Sequence, residues 1–329
     1  MKIFIIGSNS FSGSNFVNSQ IKKGSEVIGI SRSKEPNDVF LPYKWNDKNP
    51  SNYQFYQMDI NKDLEDIVSK VKKFKPNYIV NFAAQGMVAE SWKKPEDWFI
   101  TNVVSQVKLH DRLRNFDFIE NYLNFSTPEV YGSSDEWIKE SYNFLPSTPY
   151  AASRASCDLH LMTFFNNYNF PVTFTRAANV FGEGQQLYRI VPKAILCALL
   201  GNQLDLHGGG SSERSFIHID DVSEATNLVM EQGKPGGTYH ISTETKISIK
   251  DLVTLIANML SISPDEFVKI ADERLGKDHS YALNSKKIRT ELAWSDKITL
   301  EQSIERTIDW VKNNIKILKE LPHEYIHKT

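Results

Sequence analysis

Two short segments concentrate the reactive side chains of this chain. Ser126-Thr127-Pro128-Glu129-Val130-Tyr131-Gly132 offers hydroxyls and a carboxylate, and Tyr150-Ala151-Ala152-Ser153-Arg154 offers a phenol and a guanidinium. Tyr150 and Arg154 are four residues apart, so on a helix they share one face. A cation at that distance stabilises a phenolate and lowers the pKa of the phenol, which suits it to act as a base. Either segment alone also reads as a strand end or a polar helix start. Together, in this order and behind a nucleotide loop, they point to an enzyme that oxidises a sugar hydroxyl and then does further chemistry.

The nucleotide loop opens the chain. Ile3 to Ile6 is a short apolar run bounded by glycine, the pattern of a buried parallel strand. Gly7-Ser8-Asn9-Ser10-Phe11-Ser12-Gly13 follows, then a helical pattern through Phe16, Val17 and Ile21 ending near Gly24, then a strand from Glu26 to Ile30. In this strand–loop–helix–strand setting Gly7 permits a sharp turn and Gly13 close packing, and free amides at the helix start bind a diphosphate. Ser10 stands where a middle glycine is expected, which weakens the pattern, and a generic turn is the alternative. The second strand ends in Ile30-Ser31-Arg32-Ser33-Lys34 with no carboxylate. Arg32 suits a 2′-phosphate or stacking on adenine, so within NAD(P) the reading favours NADP.

Two further strands, Tyr53 to Met58 and Asn77 to Phe82, extend the same sheet. Asp59 ends the first of these, as an acceptor for the adenine amino group or as a cap before Leu64. The small residues Ala83 and Ala84 after the second allow close backbone approach to a cofactor. Cofactor contacts are therefore expected from Gly7, Ser10, Phe11, Gly13, Arg32, Asp59, Ile60, Ala83 and Ala84, joined by Tyr150 and Arg154. A long helix is predicted from about Glu96 to Arg114, with Asn102 near its middle. A strand from Tyr122 to Phe125 delivers Ser126 and Thr127 at its C-terminal end, the edge at which open parallel sheets bind ligands.

The 329 residues suffice for one large α/β domain with an added lobe, or for two domains. A net charge of −2 and the lack of a basic run argue against a nucleic-acid partner; Lys72, Lys73 and Lys75 sit at a predicted helix end. Cys157 and Cys197 form neither a disulfide framework nor a metal set, and both fall in helical patterns as packed thiols. The apolar opening Met1 to Ile6 is too short for a signal peptide or membrane span, so a cytoplasmic protein without a membrane partner is expected.

With these motifs the chain resembles the extended short-chain dehydrogenase/reductases, and within them the nucleotide-sugar 4,6-dehydratases that act on dTDP-glucose or GDP-mannose. The resemblance covers almost the whole length. It runs through the glycine loop, Asn81-Phe82-Ala83-Ala84-Gln85, the two reactive segments, Thr175 to Gly182, Arg214 to Val222 and Leu292-Ala293-Trp294. It implies an α/β fold, a Rossmann-type doubly wound parallel sheet with a smaller C-terminal substrate-binding lobe. The dinucleotide-binding domain would span 1–182 with 216–242, and the lobe 183–215 with 243–329. It also implies a nucleotide-diphosphate hexose as substrate and a homodimer.

By resemblance Thr127, Glu129, Tyr150 and Arg154 are the catalytic residues, and Gln85, Asn179, Arg214 and Arg274 grip the substrate. Tyr150 would take the C4 hydroxyl proton while Thr127 holds the oxygen. Glu129 would remove the C5 proton and hand one to the departing C6 oxygen. Two departures stand out. Pro128 replaces the aspartic acid of the dTDP-glucose enzymes, although the GDP-mannose enzymes also lack it. Arg154 replaces lysine, keeping the charge but not an exchangeable proton. The same departures leave room for a C4 dehydrogenase or epimerase, and a third reading is a non-catalytic dinucleotide binder. His218, in a strand-like run from Phe216 to Ile219, reads as a packed residue.

Overall fold

Seven short runs rich in β-branched and aromatic residues pair into a single all-parallel sheet in a computed structural model that describes residues 1–272 and 280–327. The strands are β1 (Lys2–Ile6), β2 (Glu26–Ser31), β3 (Tyr53–Gln57), β4 (Tyr78–Asn81), β5 (Asn121–Phe125), β6 (Val172–Ala177) and β7 (Thr238–Ile241). Their spatial order is β7-β6-β5-β4-β1-β2-β3, every neighbour parallel. The order reverses between β1 and β4, the switch point beyond whose C-terminal strand ends such sheets bind ligands.

Alternation along β1 explains why both faces are covered. Ile3 and Ile5 enter a cluster with Phe16, Val17, Val222 and Val229. Those partners lie on α1 (Phe11–Lys22) and on a helix at Ile219–Gln232. Phe4 and Ile6 point the other way, to Ile67, Val71, Leu109 and Leu161. These sit on α2 (Leu64–Phe74), and on helices at Ser105–Leu113 and Pro149–Tyr168.

The predicted helix over 96–114 is interrupted. It consists of α3 (Pro95–Phe99), a π-helical turn over Ile100–Val104, and α4 (Ser105–Leu113). The wide turn presents Asn102 to the interior, where it is 1% exposed and bonds to residues of two other segments. Such turns concentrate at functional sites. Next come α5 (Pro149–Tyr168), α6 (Ile190–Leu200) and α7 (Ile219–Gln232). The chain closes with α8 (Ile249–Leu260), α9 (Lys286–Glu291) and α10 (Leu300–Leu318).

A third apolar cluster joins α6, α8 and α10 through Val191, Ile195, Leu252, Ile256, Ile304 and Ile308. Short strands connect it to the sheet. Asn179–Phe181 pairs in parallel with Phe216–His218, and Leu204–His207 with Val268–Ala271. Cys157 and Cys197 are free and buried in α5 and α6.

An ionic knot fixes the loop that leaves the sheet. His218 Nδ1 accepts the Asp220 N–H at 3.1 Å, so its Nε2–H is free to donate to Glu183 at 2.8 Å. Arg306 on α10 reaches Glu183 and Asp220, both at 2.8 Å. His218 is fully buried, a packing and capping residue as its sequence context predicts. Burial alone would push the Glu183 carboxyl up, but the His218 hydrogen bond, the Glu183 amide and the Arg306 charge bring it down to about 2. In the unfolded chain the same carboxyl takes a proton near 4.5. Its stabilisation is therefore complete above that value and is lost as pH falls towards 2. Thermal unfolding followed from neutral to acid pH should show a shallower loss of stability in Glu183→Gln than in the unaltered protein; parallel curves would count against this linkage.

Candidate active site

The first loop depends on glycine at two places. Gly7 adopts φ +83°, and a Cβ there would stand 2.6 Å from the Ala83 nitrogen. A Cβ on Gly13 would stand 2.2 Å from the Gly7 carbonyl oxygen. Ser10, where a middle glycine is expected, is the N-cap of α1. Its hydroxyl donates to Gly7 O at 2.7 Å and accepts the Gly13 N–H at 3.0 Å, so the substitution closes the loop. The amides of Phe11 and Ser12 open the helix, where backbone N–H groups have no intrahelical acceptor. The Phe11 side chain is buried in the core.

The end of β2 is tied to this loop. Asn9 donates its N–H to Ser31 Oγ at 2.9 Å and its side-chain amide to Ser33 O at 3.0 Å. Asn9 Oδ1 and Arg32 Nη1 are buried yet have no protein partner, which marks the place for polar groups of a ligand. Asp59 folds its carboxylate onto the Asn61 N–H at 2.9 Å, and Ile60 packs in the core. Ala83 donates its N–H to Asn81 Oδ1 at 3.0 Å, and its backbone forms the wall against Gly7. A tight glycine turn, an open helix start and orphaned polar atoms at the β2 end fit a dinucleotide.

Thr127 leaves β5 and caps a short 3₁₀ turn over Pro128–Tyr131, accepting the Glu129 N–H at 3.4 Å. Pro128 is the first residue of that turn, where a missing N–H costs nothing. Thr148 caps α5 by accepting the Ala151 N–H at 3.1 Å, which puts half-buried Tyr150 in the first turn. The Tyr150 phenol lies within electrostatic reach of Arg154, Glu129, Thr127 and Arg189. Arg154 is buried and donates from Nη2 to Phe125 O. The structure thus brings Thr127, Glu129, Tyr150 and Arg154 together.

Burial raises the phenol above its ordinary range; Arg154 draws it down, as its spacing predicts, but only partly opposes burial, and Glu129 adds to the rise while Thr127 and Arg189 lower it.

Several positioning residues escaped the sequence reading. Asn102 accepts the Gln85 N–H at 2.8 Å and donates to Gln85 O at 3.1 Å and Ser153 Oγ at 2.9 Å, joining the β4 loop to α5. Asp158 accepts from Ser126 Oγ at 2.6 Å, Asn124 Nδ2 at 2.9 Å and Arg176 Nη2 at 2.8 Å. Arg176 Nη1 in turn donates to Tyr131 Oη at 2.8 Å. Asp158 lies four residues beyond Arg154 on the same helical face, a signal that the spacing did contain. Arg189, whose charge acts on Tyr150, left no comparable signal.

The expected substrate residues fall into two places. Asn179 and Arg214 meet at Tyr281, whose hydroxyl donates to Asn179 Oδ1 at 3.1 Å and whose ring centroid lies 4.4 Å from the Arg214 guanidinium. Gln85 is buried and held by Asn102. Arg274 lies outside the described residues. Among the described residues no cluster of His, Cys, Asp and Glu could hold a metal ion, and no helix is long and apolar enough to cross a membrane.

Comparison with known proteins agrees with this geometry. A family model described as GDP-mannose 4,6 dehydratase matches residues 4–307. A trifunctional UDP-glucose 4,6-dehydratase, epimerase and reductase of Arabidopsis thaliana is 32% identical over 72% of this chain. The chain spans only 36–40% of the length of three such plant proteins. The dTDP-D-glucose 4,6-dehydratase of Bos taurus is 30% identical over 95% of this chain and 89% of its own length. The solved structure of DesIV, a dTDP-glucose 4,6-dehydratase of Streptomyces venezuelae with NAD bound, matches at a TM-score of 0.88. It is 28% identical and covers 96% of this chain and 98% of that one. A UDP-glucose 4-epimerase of Thermotoga maritima matches at 0.86 with 25% identity, covering 96% and 100%. A cofactor loop, a Tyr–Arg helix and a Thr–Glu turn on one seven-stranded sheet, matched over nearly the whole chain, have one reading: the chain belongs to the GDP-mannose 4,6-dehydratase family of extended short-chain dehydrogenase/reductases.

Proposed function

We propose that this chain is a nucleotide-sugar 4,6-dehydratase, converting a nucleotide-diphosphate hexose to its 4-keto-6-deoxy form. The observation that carries the reading is Glu129 beside the Tyr150–Thr127 pair: oxidation alone needs no such carboxylate. Tyr150 removes the C4 hydroxyl proton while Thr127 holds the oxygen. A bound NAD(P) supplies the hydride acceptor and, later, the donor. The C4 ketone acidifies the C5 hydrogen, and Glu129 takes that proton. Glu129 also delivers a proton to the C6 oxygen as water leaves, since Pro128 has none to offer. Asn179 and Arg214 hold the diphosphate sugar, the arginine through forked hydrogen bonds.

For the cofactor we favour NADP over NAD. The end of β2 offers Arg32, with a buried nitrogen in want of an acceptor, and no carboxylate to grip a ribose hydroxyl. A rival reading, C4 oxidation or epimerisation, draws on Pro128 and on the epimerase-like fold.

Mass spectrometry after incubation with GDP-, dTDP-, CDP- and UDP-hexoses should find a product lighter by one water, with no net reduced cofactor. An isomer of unchanged mass would establish the rival. Glu129→Gln should lower water loss by roughly 10²-fold or more while C4 oxidation remains detectable. Arg154→Met removes a charge that draws the Tyr150 phenol down. The phenolate is the working form, so the rising limb of the rate–pH profile should move to higher pH. An unmoved limb would assign the base elsewhere. Arg32→Asp should weaken NADP binding by about tenfold, roughly 1.4 kcal/mol, and spare NAD; equal loss of both would argue against a 2′-phosphate contact.

A further inference from the structure

Beyond α10 the chain runs from the cluster of α6, α8 and α10 to α3. Leu321 packs against the cluster of α6, α8 and α10. From there alternate side chains turn inward. His323, Tyr325 and His327 are half-buried, while Pro322, Glu324 and Ile326 are exposed. On the α6 side, Lys193 Nζ meets Glu324 Oε1 at 2.7 Å, and the Tyr188 and Tyr325 rings meet edge-on at 5.4 Å.

The far end rests on the sheet domain. His327 Nε2 lies 2.7 Å from Asp97 Oδ2, and the imidazole stacks on Trp98 with centroids 5.1 Å apart and planes at 4°. Trp98 is fully buried beneath it in α3. Midway, the Tyr325 phenol lies in the combined field of Arg32, Glu90 and Arg189. Arg32 follows β2 directly, and the Arg189 charge also reaches Tyr150. The segment thus runs from α6 to α3 within electrostatic reach of both arginines. Two more buried atoms without protein partners, Glu90 Oε2 and His327 Nδ1, lie along the same path.

We propose that residues 321–327 are a strap that closes over the bound dinucleotide and keeps it in the cleft between turnovers. The inference rests on the dehydratase reading, in which the hydride is lent and returned within one site and the cofactor has no need to leave. The anchors suit a strap that can open: partly exposed ion pairs are individually weak, and a stacked ring adds a modest increment. Such closures commonly limit the release of a ligand rather than its chemistry.

The test reads cofactor release. Protein loaded with NADPH, and separately with NADH, is chased with excess oxidised cofactor while the fluorescence of the bound nucleotide is followed. A variant lacking residues 324–329 should release it at least about tenfold faster, with circular dichroism and melting temperature unchanged. A second variant, Asp97→Cys with His327→Cys, should release it more slowly when oxidised than when reduced. Equal rates in all forms would overturn the strap. So would tighter cofactor binding after truncation, because the segment would then be occupying the site rather than covering it. Faster release with no water lost from any hexose would leave the strap standing and retire the proposed reaction; normal dehydration with unchanged release would do the reverse.

Discussion

The buried carboxylate of Asp158 is the point on which the catalytic side of this fold depends. It has no exposed surface, and neither does its partner Arg176. Burial works against the charge of the guanidinium, and the Asp158 carboxylate restores it. A pair so deeply desolvated needs further hydrogen bonds around it, and removing one partner typically costs about 3–5 kcal/mol. They come from several elements: Asn124 in β5, Ser126 just beyond it, and Tyr131 at the end of the 3₁₀ turn, while Arg176 Nε has no partner. Tyr131 passes the chain on to His240 Nε2 at 2.8 Å, and His240 Nδ1 meets Ile138 O at 3.2 Å. Burial holds His240 well below its ordinary pKa, so it serves this chain as a neutral ring. Thr127 and Glu129 are therefore carried on a turn clamped at both ends.

Against that rigid frame Tyr150 is poised between opposing influences. The low dielectric around it resists its ionisation, and burial outweighs Arg154 and Arg189. The cluster as it stands holds the phenol protonated. Arginine in place of lysine keeps a permanent charge beside it, while its bond to Phe125 O fixes the guanidinium to the end of β5.

The cleft is framed by two further constraints of different character. The Glu183–His218–Arg306 knot is ionic and ties the departing loop to α7 and α10. The segment 321–327 is held by ring stacking and single ion pairs at its ends. The first suits permanence and the second exchange.

The sequence by itself determined the alternation of strand and helix, because parallel strands buried on both faces must be short apolar runs and the turns between them need glycine or small polar residues. It also singled out Thr127, Glu129, Tyr150 and Arg154, whose hydroxyl, carboxylate, phenol and guanidinium the fold then brings together. Ser10 looked like a weakness in the glycine loop; only the fold showed it capping α1. The π turn at Ile100–Val104 was illegible because a continuous helical pattern hides one extra residue per turn. The Asp158–Arg176 pair, the Arg189 field on Tyr150 and the path of residues 321–327 were decided by tertiary structure alone. They depend on distances between segments far apart in the chain, and the net titration of Tyr150 depends on burial, which no local spacing encodes.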